Sequence, residues 1–250
     1  SRASAASDVY KRQQQNKSTF PTPRHSEMMI KICGMREPDN IAQVASLAPM
    51  LMGFIFYPKS PRNACELDPM TVMSLPGFIR PVAVFVNDDY DHIIDICNRY
   101  SFKIVQLHGE ESPELCRRLR DSGLTVFKAV SVGSEIDWTS LQQYDGSVDM
   151  FLFDNVTPSS HGGTGRKFDW QLLDDYPLSI PYMLSGGIGP DDVDSIVNAM
   201  RPGMAGIDIN SRFESSPGHK DLHKLINFIL SLRKFNENEP TATPFWEKTK

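Results

Sequence analysis

Short apolar runs alternate with stretches of helical period from residue 28 to residue 234. The runs fall at 29–33, 50–56, 80–86, 103–107, 125–130, 150–153, 182–184 and 204–209. Each is too short for a buried helix, and most are rich in Val, Ile, Phe or Met, as strands covered on both faces are. The stretches between them predict helices starting near Pro38, Asp68, Asp89, Ser112, Asp137, Asp169, Pro190 and His219. Several of these starts carry the Asp, Ser or Pro that favours a helix N-terminus. Strand followed by helix, repeated about eight times in units of about 25 residues, predicts an α/β protein: a (β/α)8 TIM barrel in a single domain rather than a doubly wound open sheet.

Side chains alternate in direction along a strand, so a barrel sorts them into an inward and an outward set. Met29, Lys31 and Cys33 share one face of the first strand, Ile104, Gln106 and His108 one face of the fourth, and Gly206, Asp208 and Asn210 one face of the last. The polar members collect towards the C-terminal ends of the strands, where this architecture builds its active sites. Buried polar groups need partners, so the cluster is either a binding site or an internally paired network.

The chain of 250 residues has ordinary globular composition, 40% hydrophobic and 23% charged. A formal charge of -5 argues against a general nucleic-acid binder while leaving room for a local basic pocket that takes an anion. No apolar run approaches the roughly 20 residues a membrane span needs. Cys33, Cys65, Cys97 and Cys116 are widely spaced and form no C-x-x-C pair, which argues against zinc or a redox dithiol and fits a reducing, cytoplasmic setting. Residues 1–27 are polar and aperiodic, and read as a disordered leader or a cloning or reading-frame artefact. Residues 28–235 form the barrel domain, and 236–250 read as a loose tail. The oligomeric state expected is monomer or homodimer.

Two strand ends carry groups suited to proton transfer. Asp154 ends the sixth apolar run; its bland alternative is a turn cap. Cys33 ends the first, two residues beyond Lys31 on the same face; a nearby ammonium favours thiolate and makes Cys33 a candidate base, where the alternative is a small buried filler. Leu184-Ser185-Gly186-Gly187-Ile188-Gly189-Pro190 follows the seventh strand and Ile207-Asp208-Ile209-Asn210-Ser211 the eighth. Loops after strands seven and eight are the usual phosphate site of this fold, with glycines letting backbone N–H groups approach the anion. Arg62, after the second strand, suits a substrate carboxylate, which arginine can hold in bidentate fashion. Gln106 and His108 are candidates for substrate contact at the fourth.

Six motifs occur in unbroken order: Lys31-Ile32-Cys33-Gly34; Gly53-Phe54-Ile55-Phe56-Tyr57-Pro58-Lys59-Ser60; Val84-Phe85-Val86-Asn87; Val105-Gln106-Leu107-His108-Gly109-Glu110-Glu111; Gly162-Gly163-Thr164-Gly165 with Phe168-Asp169-Trp170; and Leu184-Ser185-Gly186-Gly187. Together they resemble the phosphoribosylanthranilate isomerases of tryptophan biosynthesis over about 29–232. The resemblance implies an Amadori rearrangement of N-(5-phosphoribosyl)anthranilate to 1-(2-carboxyphenylamino)-1-deoxyribulose 5-phosphate, with neither metal nor organic cofactor. By the same likeness Cys33 is the general base and Asp154 the general acid. Arg62 would hold the anthranilate carboxylate, and Gly186, Gly187, Asn210 and Ser211 the phosphate. Gln106, His108, Gly163 and Asp208 complete the expected substrate contacts. The family commonly reads D-V-S-S-G-V-E where this chain has Asp208-Ile209-Asn210-Ser211-Arg212-Phe213-Glu214, so the phosphate donors there are the least specified part of the site. Rival readings are another phosphosugar barrel, either a histidine-pathway isomerase or an indole-glycerol-phosphate synthase type, and a sugar-phosphate sensor without turnover. The partner expected is a small-molecule substrate, with no nucleic acid and no membrane.

Overall fold

A computed structural model describes residues 28–155 and 167–238. Eight parallel strands close into a barrel in sequence order: β1 (Met29–Ile32), β2 (Leu51–Ile55), β3 (Arg80–Phe85), β4 (Ile104–Leu107), β5 (Thr125–Val132), β6 (Met150–Asn155), β7 (Tyr182–Leu184) and β8 (Met204–Ile209). All eight coincide with the predicted runs to within a residue or two. The seam between β8 and β1 pairs Lys31 with Asp208 and Ile32 with Ile209. Regular strand geometry stops at Ile32, but the ladder continues one residue further, where the Cys33 amide donates to Ile209 O at 2.9 Å. His108 and Ser185 are held in the same way, by Phe85 O and Phe153 O at 2.8 Å each. Strand-end side chains therefore project from backbone that is still tied into the barrel.

The alternation expected from the sequence holds. Met29, Leu51, Val82, Ile104, Phe127, Met150, Leu152 and Met183 pack together inside the barrel. Their neighbours in sequence, such as Ile32, Met52, Phe54, Phe85, Val105, Phe151 and Phe153, pack outward beneath the helices. One outer cluster is aromatic: Phe56 meets Tyr100 edge-on at a centroid distance of 5.0 Å and Phe102 at 5.6 Å.

The helices are α1 (Pro38–Ala45), α2 (Pro69–Met73), α3 (Tyr90–Tyr100), α4 (Pro113–Asp121), α5 (Trp138–Gln142), α6 (Val193–Asn198) and α7 (Leu222–Asn238). Asp68, Asp89, Ser112 and Asp137 cap α2 to α5, each side chain accepting from a backbone N–H in the first turn, as their positions predicted. Three expectations shift. The sixth unit has only a 3-10 turn, Trp170–Leu173, capped by Asp169; Pro177 follows closely and disfavours helical backbone just before it. The helix expected from Pro190 starts at Val193, because the Asp192 carboxylate turns back to accept from the Gly189 amide at 2.6 Å. The helix expected from His219 starts at Leu222, because His219–Lys220 (β10) pairs antiparallel with Glu214–Ser216 (β9). α7 then runs past the expected end of the periodic region to Asn238. The leader 1–27, the loop 156–166 and residues 239–250 lie outside the described residues. Among the described residues no helix is long and apolar enough to cross a membrane.

Candidate active site

A cleft opens at the C-terminal ends of the strands. Cys33, Arg62, Gln106, His108, Asp154, Gly186, Gly187, Asp208, Asn210 and Ser211, all singled out from sequence, line it. Gly163, the remaining candidate, lies outside the described residues. Residues from six different strand ends converge because each sits on the inward register of its strand or in the loop that follows.

The floor of the cleft is a charge pair. Lys31 and Asp208 are neighbours across the β1–β8 seam, and Lys31 Nζ donates to Asp208 Oδ1 at 2.9 Å. Both are buried, the lysine at 0% exposure. Burial works against the ammonium, but the Asp208 carboxylate and then the Cys33 thiol beside it more than offset that, and Lys31 holds its proton more tightly than an ordinary lysine. The second Asp208 oxygen takes a long contact from Ser185 Oγ at 3.4 Å. Cys33 lies directly above: burial pushes its thiol up, Lys31 pulls it back, Asp208 opposes that pull, and Lys220 helps it. The net direction is upward, so the single-ammonium argument from the sequence understated desolvation.

Asp154 projects from the inward face of β6, above Met150 and Leu152 in the barrel interior. Its Oδ1 accepts from the Asn155 amide at 2.7 Å, and its Oδ2 stands 3.4 Å from His108 Nε2. The other ring nitrogen of His108 bonds the Gln106 side-chain amide at 2.8 Å. Gln106 is fully buried, and its Oε1 has no partner among the described residues. Gly186 comes so close that a Cβ there would lie 2.6 Å from Asp154 Oδ1, and its φ of +79° is left-handed backbone as well. The loop after β7 thus closes on the carboxylate.

Arg62 is not free in the cleft. Its Nε donates to Glu214 Oε1 at 2.9 Å and its Nη2 to Glu214 Oε2 at 2.7 Å, a bidentate pair. Glu214 also takes a hydrogen bond from Lys220 Nζ at 2.6 Å. Burial pushes the Glu214 carboxyl up, but the bond from Arg62 and the charge of Lys220 bring it below the ordinary range. Sequence reasoning passed over both residues. Glu214 closes a motif already noticed, so its position was visible, but Lys220 fell next to a helix start expected near His219 and carried no signal of its own.

The chain was compared with known proteins. The family model described as "N-(5'phosphoribosyl)anthranilate (PRA) isomerase" matches residues 30–231. An N-(5'-phosphoribosyl)anthranilate isomerase of Parabacteroides distasonis is 43% identical over 207 residues, covering 82% of this chain and 93% of the relative. One from Phocaeicola vulgatus is 38% identical over 207 residues, covering 83% and 98%. Among solved structures, phosphoribosyl anthranilate isomerase from Thermotoga maritima superposes with a TM-score of 0.72 at 32% identity, covering 83% of this chain and all (100%) of that one. Another solved structure of such an isomerase, in complex with reduced 1-(o-carboxyphenylamino)-1-deoxyribulose 5-phosphate, gives a TM-score of 0.71 at 32% identity with the same coverage. The ordered strand-end motifs, the closed barrel and these matches across most of the sequence agree, and the chain belongs to the N-(5'-phosphoribosyl)anthranilate isomerase family.

Proposed function

We propose that Cys33 and Asp154 are the general base and general acid of an Amadori rearrangement carried out at the mouth of this barrel. Membership of the family makes the chain an enzyme of tryptophan biosynthesis: an aldose–ketose isomerase that converts N-(5'-phosphoribosyl)anthranilate to 1-(2-carboxyphenylamino)-1-deoxyribulose 5-phosphate. The reaction needs one proton delivered to the ribose ring oxygen, which opens the ring to a Schiff base, and one proton taken from C2, which gives the enolamine and then the ketone. The observation that carries the assignment is that a thiol and a carboxyl group, on β1 and β6, line one cleft. Asp154 enters as the acid and must carry its proton when substrate binds, with His108 and the Gly186 loop fixing its orientation. Cys33 takes the C2 proton, and Lys31 supplies the charge that stabilises the thiolate.

The substrate is held at its two anionic ends. Glu214 uses the Nε edge of Arg62, which leaves the outer guanidinium hydrogens for the anthranilate carboxylate. Backbone at Gly186, Gly187 and Ser211 cradles the phosphate, with successive left-handed glycines turning N–H groups to one side. A 3-10 turn, Ser211–Phe213, begins at the last of these residues, whereas α6 begins only at Val193. The unpaired Oε1 of Gln106 suits a ribose hydroxyl. Each proton-transfer group contributes about 10²- to 10⁴-fold, and anchoring both ends of the sugar supplies the orientation. The test is decay of substrate fluorescence when the protein is given phosphoribosylanthranilate made in situ. Decay with the native protein and none with a folded Cys33→Ala variant supports the reading, and equal decay in both removes Cys33 from it.

A further inference from the structure

A buried cation other than Lys31 has no assigned part in the chemistry. Lys220 is inaccessible, at 0% side-chain exposure, and its ammonium donates to Glu214 Oε1 at 2.6 Å and to Asn210 Oδ1 at 2.7 Å. Its backbone is gripped as firmly. The buried Asn40 side chain of α1 accepts from the Lys220 amide at 2.7 Å and donates to the Lys220 carbonyl at 3.0 Å. Both the oxygen and the nitrogen of one buried amide thus hold the backbone of one lysine, and the β9–β10 pairing sets Lys220 opposite Glu214. A buried ammonium is costly unless paired, so a position fixed from three sides has a role that a solvated lysine would not serve.

The partners of Lys220 lead to both ends of the reaction. Glu214 holds Arg62 in its bidentate grip. Asn210 and Arg62 both stand close over Gly34, the residue after Cys33, where only a residue without a Cβ fits: a Cβ there would lie 2.6 Å from Asn210 Oδ1 and 2.7 Å from Arg62 Cδ. The charged groups facing the Cys33 thiol are Lys31 from β1, Asp208 from β8 and Lys220 from β10. Those facing Lys220 are Glu214, Arg62 and Cys33.

We propose that Lys220 is a positioning residue of the rearrangement, coupling the carboxylate-binding arginine to the catalytic thiol through Glu214 and Asn210. It balances Glu214 so that Arg62 keeps a net positive charge for the substrate carboxylate, and it places a second cation beside the base. The inference rests on the reading of Cys33 as base and Arg62 as the carboxylate's partner.

The experiment is steady-state kinetics across pH for Lys220→Met and Glu214→Gln beside the native enzyme, with thermal unfolding to establish folding and Cys33→Ser as control. Lys220→Met removes a cation from the thiol, so the acid-side limb of kcat/KM moves to higher pH while KM rises several-fold. Glu214→Gln removes the anion that offsets Lys220, so KM also rises but the limb moves to lower pH. Opposed movements are a signature that loss of packing does not produce. An unmoved limb in folded Lys220→Met, or a limb unmoved or raised in Glu214→Gln, overturns the coupling. If Lys220→Met does not fold, Glu214→Gln decides by the same criterion. A Cys33→Ser enzyme with native turnover defeats the underlying assignment instead.

Discussion

The thiol proposed as the base stands in a place that favours its neutral form. Burial pushes Cys33 up, and Lys31 and Lys220 only partly bring it back, so the fraction of reactive thiolate grows with pH. The acid-side limb of kcat/KM is expected to lie above neutrality and to vanish from the residual activity of Cys33→Ala, measured as a pH–rate profile. Cys33→Ala and Asp154→Ala are each expected to lower kcat by about 10²- to 10⁴-fold in folded protein, since each removes a group proposed to transfer one proton. Steady-state turnover beside circular dichroism checks this. Arg62→Ala is a different kind of loss. Arg62 touches Glu214 and is proposed to hold the substrate carboxylate, remote from the reacting carbons, so KM is expected to rise more than kcat falls. An unchanged KM counts against the carboxylate assignment.

Elements matter here through where they stop. Two residues beyond β1 and β7 stand left-handed glycines, Gly34 and Gly186, which turn the chain sharply and let neighbouring side chains approach. Gly186→Ala places a methyl group against Asp154 Oδ1 and strains the backbone, and is expected to cost about 1–2 kcal/mol in stability and most of the turnover, read by denaturant unfolding and kinetics together. Activity unaffected by Gly186→Ala would show that the carboxylate tolerates displacement. The short hairpin of β9 and β10 is the element that periodicity does not announce. It is only five residues of strand, too brief for any pattern to register, yet it brings Glu214 and Lys220 under the arginine. The late starts of α6 and α7 have the same character, since side chains of Asp192 and Asn40 fix the local backbone through contacts a linear pattern does not contain.

At the scale of the molecule, a buried ion pair spans the β8–β1 seam at which strand pairing closes the barrel. Lys31→Met leaves Asp208 buried without its partner and is expected to destabilise by about 3–5 kcal/mol; the double substitution Lys31→Met with Asp208→Leu recovers much of the stability but not the activity. Chemical denaturation and turnover separate the two. Acid stability depends on another pair. The folded-state affinity of Glu214 for its proton is below its ordinary value, so its contribution is present above the unfolded-state pKa and lost as pH falls through the folded one. Stability measured from pH 6 downward is expected to fall less steeply in Glu214→Gln than in the native chain below about pH 4.5. An identical slope would mean that Glu214 is not the linked group.

What the linear chain determined by itself was the count and order of strands, the faces of those strands, the caps of four helices and the identity of ten cleft-lining residues. The elements follow from local rules, alternation along a strand, helical period and the placing of Asp, Ser and Pro at helix starts, and the cleft residues from strand-end motifs and the family they resemble. Only the closed barrel decided that Lys31 meets Asp208, 177 residues away in sequence, and that Arg62 meets Glu214, 152 residues away. It also decided that burial outweighs the nearest ammonium at Cys33. Desolvation and pairing depend on what the rest of the fold brings to a point in space, and a residue's sequence neighbours do not carry that information.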